Sequence, residues 1–283
     1  SGAGSDTWTL TTDLSVPPAA PVLALASAPN NAYTFNWSPV SGADSYRIYV
    51  DGSPVASPTS SPYTTETLSP NASHSFYMTS YSNYAGASGS SNVENRVTAP
   101  LDPTNLAAGS ITQTGLSLSW THSVGGAAYY KILQNGAEIG QTAGSSWTAE
   151  PLTPNTTYTF NVRAYNINNQ ASPFGIQINA LTVSGTPVGL AASSVTETSY
   201  TVSWSAPATG ATSYKVYRNG SLATTQPNTS YSFSGLSANS SSNITVTSTN
   251  ASGESIPAAL TVFTLPNSPT NLVVNGTAAT TAS

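Results

Sequence analysis

Residues 116–136 read LSLSWTHSVGGAAYYKILQNG, and their pattern decides the fold class. Leu116, Leu118 and Trp120 alternate with Ser117 and Ser119. In an extended chain this puts the apolar side chains on one face and the hydroxyls on the other. Tyr130 and Ile132 repeat the alternation, and Asn135-Gly136 closes the second run. That dipeptide supplies the two consecutive positive φ angles of a type I′ hairpin turn. No window of helical length along the chain shows a 3.6-residue period, while short alternating runs rich in Val, Ile, Thr and Tyr continue throughout.

The same landmarks occur three times. Trp37, Trp120 and Trp204 lie 83 and 84 residues apart, each closing an alternating run. Tyr46, Tyr130 and Tyr214 are spaced by 84, and Asp51-Gly52, Asn135-Gly136 and Asn219-Gly220 follow them at a constant offset. Tyr63, Trp147 and Tyr231 each precede a leucine (Leu68, Leu152, Leu236) by five positions. Leu23, Leu106 and Leu190 mark the first strand of each copy, the last two in a Pro-x-x-Leu pattern that returns at Pro269 and Leu272. A fixed period of this length is the mark of a repeat array. Gly and Pro at 100–103, 185–187 and 266–269 punctuate the joints. The boundaries read as repeat 1 (18–100), repeat 2 (101–184) and repeat 3 (185–266). Residues 1–17, with Trp8, Leu10 and Leu14, read as the last strand of a preceding repeat, and 267–283 as the first strand of a following one.

About seven short strands per 84 residues imply two antiparallel sheets packed face to face, a β-sandwich. In repeat 2 the expected core is Leu106, Leu116, Leu118, Trp120, Tyr130, Ile132, Trp147, Leu152, Tyr158, Phe160 and Val162. Linkers of a few residues containing proline restrict the angle between neighbours, so an elongated, semi-rigid array is expected.

The order and spacing of these markers resemble the fibronectin type III domain, an immunoglobulin-like seven-stranded sandwich, especially its prokaryotic form. Pro-x-x-Leu matches its strand A, the tryptophan strand B and the tyrosine strand C. The segment LTPNTTYTFNVRAYN (152–166) matches its E–F loop and strand F. Tyr158 stands at the tyrosine-corner position, where His74 and Ser242 replace it in the other repeats. The resemblance implies a corner hydrogen bond from Tyr158. His74 retains some ability to bond to backbone and Ser242 is too short, so repeat 3 is expected to be the least stable. The family's cell-adhesion motif, Arg-Gly-Asp, does not occur.

Composition narrows function. Charged residues are 6% of the chain, against about 25% in an average soluble domain. The net charge is -5, with no basic stripe for nucleic acid and no basic cluster for an anionic membrane. The absence of cysteine excludes disulfides, thiolate metal sites and cysteine nucleophiles. No stretch is long and apolar enough to span a membrane. With Ser, Thr and Asn in place of charge, the composition is that of a secreted or cell-surface protein.

No residue set points to chemistry, so no catalytic, cofactor-binding or metal-binding residue is assigned. His74 and His122 fall in different repeats, the first as a core-edge substitute for tyrosine and the second in a solvated loop. The carboxylates Asp44, Asp51, Glu66, Glu150 and Asp102 are dispersed, too sparse for the six to eight oxygens of calcium. A linker site using Glu94 or Asp102 is the least unlike one. Tyr81, Tyr84, Tyr129 and Tyr165 depart from the repeat or point outward, as a sugar- or partner-binding surface requires, although surface tyrosine is also ordinary on strands. Of the Asn-x-Ser/Thr triplets, Asn155 and Asn228 lie in loops and are the better glycan acceptors.

The expectation is a non-catalytic structural or adhesive spacer of an extracellular surface protein, appendage or filament. Its expected partners are neighbouring repeats, copies of itself, surface glycans or other proteins. The alternative is an accessory region of a secreted polysaccharide-degrading enzyme, or a segment of a phage fibre.

Overall fold

The computed structural model describes residues 16–28 and 31–271. Every regular element among them is a β-strand. The segments around Trp8–Leu14 and from Leu272 onward, expected as strands of flanking repeats, lie outside the described residues. Repeat 1 holds β1 (Ala24–Ser27), β2 (Thr34–Asn36), β3 (Ser45–Val50), β4 (Ser53–Ala56), β5 (Tyr63–Thr64), β6 (Ser73–Ser82), β7 (Gly86–Ala87) and β8 (Glu94–Val97). Repeat 2 holds β9 (Thr104–Gly109), β10 (Leu116–Thr121), β11 (Tyr129–Gln134), β12 (Ala137–Thr142), β13 (Ser146–Ala149), β14 (Thr157–Tyr165) and β15 (Ile176–Leu181). Repeat 3 holds β16 (Val188–Ser193), β17 (Tyr200–Ser205), β18 (Ser213–Arg218), β19 (Ser221–Gln226), β20 (Ser230–Phe233), β21 (Ser241–Asn250), β22 (Gly253–Glu254) and β23 (Ala258–Phe263).

Each set forms a three-stranded sheet and a larger one. The small sheets run β1-β2-β5, β13-β10-β9 and β16-β17-β20. The larger ones run β4-β3-β6-β7 with β8 beside β6, β12-β11-β14-β15, and β19-β18-β21-β22 with β23 beside β21. Repeat 2 thus has seven strands. Repeats 1 and 3 add a two-residue strand, β7 or β22, at the turn between the last two long strands.

Alternation places the core. The three tryptophans are 5–6% exposed, and each packs on the tyrosine of the facing sheet. The ring centroids are 5.2 Å apart for Trp37–Tyr46 and 5.5 Å for both Trp120–Tyr130 and Trp204–Tyr214. Of the residues expected inside repeat 2, Leu106 and Trp147 are only half-buried. Leu106 is on β9 and Trp147 on β13, the two edge strands of the small sheet, where one flank lacks a covering strand. Small side chains, Ala149, Ala164 and Ala180, are buried in addition.

The turns follow their chemistry. Asp51, Asn135 and Asn219 have φ of 51°, 50° and 53°, and the glycines after them 80°, 85° and 81°. Each hairpin carries a register shift at the same place: Ile48/Tyr49, Ile132/Leu133 and Val216/Tyr217.

The E–F corner differs from expectation in repeat 1. Tyr158 Oη accepts from Thr153 N at 2.9 Å, as the resemblance implied. His74 bonds to a carboxylate rather than to backbone, with Nδ1 2.7 Å from Asp51 Oδ2. Ser242 Oγ accepts from Arg218 Nε at 3.1 Å. A second device serves all three corners. Buried Thr98, Thr182 and Thr264 donate through Oγ1 to Ser69 O, Thr153 O and Ser237 O at 2.6, 2.7 and 2.7 Å. The same hydroxyls accept from Ala72 N, Thr156 N and Ser240 N at 2.9, 3.0 and 2.9 Å. Each threonine therefore ties the end of the last strand to the corner, whether or not a tyrosine is present.

The chain divides into two compact units. One contains the described residues up to Leu106 with Ser119–Ser146 and Phe160–Ile178. The other contains Ala107–Leu118, Trp147–Thr159 and the described residues from Asn179 onward. Both take part of repeat 2, so the joint between repeats 1 and 2 lies in the first unit and the joint between repeats 2 and 3 in the second.

Candidate functional site

The densest set of inter-repeat polar contacts in each unit is a joint built on asparagine. In the first unit Asn166, at the turn after β14, is fully buried. Its Nδ2 donates to Thr98 O at 3.0 Å, across the joint, and to Gln170 Oε1 at 2.7 Å. Its Oδ1 accepts from Asn168 N and Gln170 N at 3.0 and 2.9 Å, shaping the turn. Asn71, at the E–F corner of repeat 1, donates to Gly125 O at 3.1 Å in the opposite direction. Gly125 has φ +81°, and a Cβ there would lie 2.8 Å from Pro70 O, so close approach and conformation both require glycine.

The second unit repeats this arrangement 84 residues later. Asn250 Nδ2 donates to Thr182 O at 2.8 Å and to Asn155 Oδ1 at 2.9 Å. Asn155 Nδ2 donates to Thr209 O at 2.7 Å. Ser252 Oγ adds a bond to Leu181 O at 2.6 Å. The linker is held as well, with Gln113 Nε2 donating to Ser184 O and Thr186 Oγ1 at 2.9 and 3.1 Å. These reciprocal amide–carbonyl pairs fix the two contacting repeats in each unit without any charge.

The acid–base candidates do not converge. His122 is exposed, with Nδ1 3.0 Å from Tyr130 Oη. Asp44 accepts from Asn83 N at 2.7 Å. Asp51 is held below the usual carboxyl range by the Ser75 N–H and by His74. Glu66 stands near Tyr63, whose hydroxyl burial pushes up, with the negative charge adding to the shift. Glu150 lies beside Gly115. Of the linker carboxylates, Asp102 accepts from Gly175 N at 2.6 Å, and Glu94 pairs with Arg96 at 2.5 Å. Among the described residues, no three His, Asp or Glu side chains gather where an ion would sit, and no helix is long and apolar enough to cross a membrane.

Of the outward tyrosines, Tyr129 and Tyr165 are brought together, with ring centroids 5.2 Å apart at 10°. Lys131 Nζ lies 5.3 Å from the Tyr165 ring. The sequence reading missed a similar pair, Tyr49 and Tyr77, at 4.6 Å and 7°. Arg47 lies 5.9 Å from the Tyr81 ring, and Tyr84 is 90% exposed. In each stacked pair one face of each ring is spent on the other, which weighs against a flat sugar platform there. A cleft of about 700 Å³ beside the first joint is walled by Leu68, Leu101, Ala171 and Phe174. Two of its polar groups are engaged, Tyr33 Oη donating to Val97 O and Asn31 Nδ2 to Ala99 O.

The model of the "Fibronectin type III domain" matches residues 101–179 and 185–264, more than half of the chain. The chain belongs to the fibronectin type III family. A chitinase, Chi52, of Paenibacillus xylanexedens is 39% identical over 88 residues, covering 30% of this chain and 17% of that protein. Chitinase 63 of Streptomyces plicatus is 30% identical over 89 residues, 31% of this chain and 15% of that protein. Exoglucanase B of Cellulomonas fimi is 26% identical over 166 residues, 52% of this chain and 15% of that protein. The chain therefore spans only about one-sixth of the length of these relatives. A two-domain fibronectin type III segment of chicken tenascin is 26% identical, covering 58% of this chain and 99% of that one, with a TM-score of 0.38.

Within these fibronectin type III repeats, Asn155 is not the free loop acceptor that its triplet suggested. Its Nδ2, the atom a glycan would take, is bonded across the joint at 2.7 Å. Asn228 remains on an exposed turn. The joint asparagines were legible only as polar repeats: Asn71, Asn155 and Asn239 at intervals of 84, and Asn166 and Asn250 at the same interval.

Proposed function

We propose that this chain is a non-catalytic extracellular spacer, an accessory region that sets the position of a polysaccharide-degrading domain. The observation that carries the reading is the pair of amide-stitched joints, which register repeat on repeat. Support comes from the chitinases and the exoglucanase, of which matching segments make up about 15%. A spacer of this kind needs reproducible reach and a surface that attracts little, and 6% charge suits the second need.

The test is made on chitin and cellulose. The chain alone is expected to release no soluble sugar. The full-length gene product is expected to contain a hydrolase domain whose activity on insoluble substrate falls when these repeats are deleted, with activity on soluble oligosaccharides unchanged. Turnover by the chain itself, or a full-length product lacking any hydrolase, defeats the reading. A second reading, a structural segment of a surface protein or filament, is favoured by edge strands such as β19, Ser-Leu-Ala-Thr-Thr-Gln, which carry no charged residue to deter pairing. Electron microscopy of the native product separates the two: fibres support the second reading and dispersed enzyme supports the first.

A further inference from the structure

We infer that the end of repeat 3 bearing Asn239 and Leu265 is a docking surface for one more repeat of this kind, one with an asparagine where Asn166 and Asn250 stand, at the end of the strand equivalent to β14 and β21. This goes beyond the spacer reading and rests on the joints alone. The receiving side of the second joint has three parts, the first two of which the first joint shares, and repeat 3 has all of them.

The first part is the corner asparagine. Asn71, Asn155 and Asn239 share φ of 51°, 50° and 51°. Their backbone N–H groups donate to the end of the last strand, at Ala99 O, Val183 O and Leu265 O, at 3.2, 3.0 and 3.0 Å. In the first two the side-chain amide then reaches a carbonyl of the next repeat. The second part is the acceptor. Thr98 O and Thr182 O receive the incoming asparagine. Thr264 is anchored by the same corner bonds, so its carbonyl is placed by the same constraints. The third part is the exit of the chain. Gln113 holds the linker that enters repeat 3. Glu197, 84 positions later, holds Ser268 by accepting from its N and Oγ, both at 2.8 Å. Val183, at the occupied joint, is 4% exposed, whereas its counterpart Leu265 is 50% exposed.

The chemistry selects the occupant. It must bring an amide donor to Thr264 O, a carbonyl to Asn239 Nδ2 from the turn that holds Gly125 in repeat 2 and Thr209 in repeat 3, and apolar atoms for Leu265. Repeats of the repeat 2 and repeat 3 type have these. The leading end of a second copy lacks the amide: Ser82, whose Oγ accepts from Tyr84 N at 3.3 Å, stands where Asn166 and Asn250 stand, and a hydroxyl has one proton to donate where the Asn250 amide uses two. The join runs through Pro269, which opens the same Pro-x-x-Leu pattern as Pro103 and Pro187.

The experiment extends the full chain by placing a second copy of residues 187–266 after Ser268. Exchange of the Asn239 side-chain amide protons is followed by NMR in the original and extended chains. Extension is expected to slow exchange by at least about tenfold, the effect of roughly 1.4 kcal/mol. Asn239→Gly, which keeps the left-handed backbone, should let the added repeat tumble independently, with no effect on the fold of the original chain. Asn250→Asp in the added copy should restore fast exchange at Asn239. Equal exchange with and without the added repeat overturns the proposal, as does protection that survives Asn250→Asp in the added copy. Self-association of the original chain that is abolished by Asn239→Gly also overturns it, because the occupant is then a second copy.

Discussion

Asn166 uses all of its hydrogen-bonding capacity inside the protein, with two donors and an acceptor that receives twice. A buried amide costs free energy to desolvate unless it is engaged in this way. Replacing it leaves Thr98 O and two turn N–H groups without partners. Asn166→Ala is therefore expected to cost at least about 1–3 kcal/mol and to expose the amides of Asn168 and Gln170 to hydrogen exchange. Protection unchanged at those two amides would show that the turn stands without it. Glycines test the same joint from the other side. Gly125→Ala and Gly136→Ala both force alanine to positive φ, at a cost of about 1–2 kcal/mol, but only the first also drives a Cβ against Pro70 O. Urea denaturation should rank Gly125→Ala as the more damaging change.

At the level of the element, the E–F corner and the β21–β22 turn separate two kinds of support. Tyr158→Phe removes the acceptor of Thr153 N and should cost about 1 kcal/mol. Thr182→Val preserves shape but strands Thr153 O and Thr156 N, so the larger loss is expected there; a denaturation series with both variants decides the order. Because Thr264 supplies that lock in repeat 3, the shorter Ser242 removes only one of two corner ties. The β21–β22 turn depends instead on ionisation. Glu254 is held below the usual carboxyl range first by Lys215, then by the hydroxyls of Tyr217 and Thr247. A carboxyl with a lowered folded pKa contributes stability above its unfolded value, about 4.3, and loses it as pH falls through the folded value. The melting temperature should drop on acidification through that window, and Glu254→Gln should flatten this part of the profile. An unchanged profile would show that the cluster is too well solvated to matter.

Across the whole molecule, the two joints share no residue, one lying in each compact unit. Energetically independent sites add. The stability losses of Asn166→Ala and Asn250→Ala should therefore sum in the double variant within about 0.5 kcal/mol. Clear non-additivity in a denaturation series would mean that strain passes through repeat 2. Neutral amide–carbonyl contacts also carry no net charge to screen, so raising salt should leave exchange at Asn168 and Gln170 unchanged.

Strand content, hairpin turns and the indole core could be read from the residues alone. These depend on alternation and on turn residues with positive φ, and both act over a few neighbouring positions. Even so, Leu106 and Trp147 fell short of burial, because local alternation shows which face a side chain takes and not whether an edge strand is covered. The joints belong to tertiary structure. Their acceptors are backbone carbonyls, which every residue possesses, and their donors are asparagines in a chain full of them. Only the folded arrangement of each E–F corner brings Thr98 O and Thr182 O within reach of an amide 68 positions further along the chain.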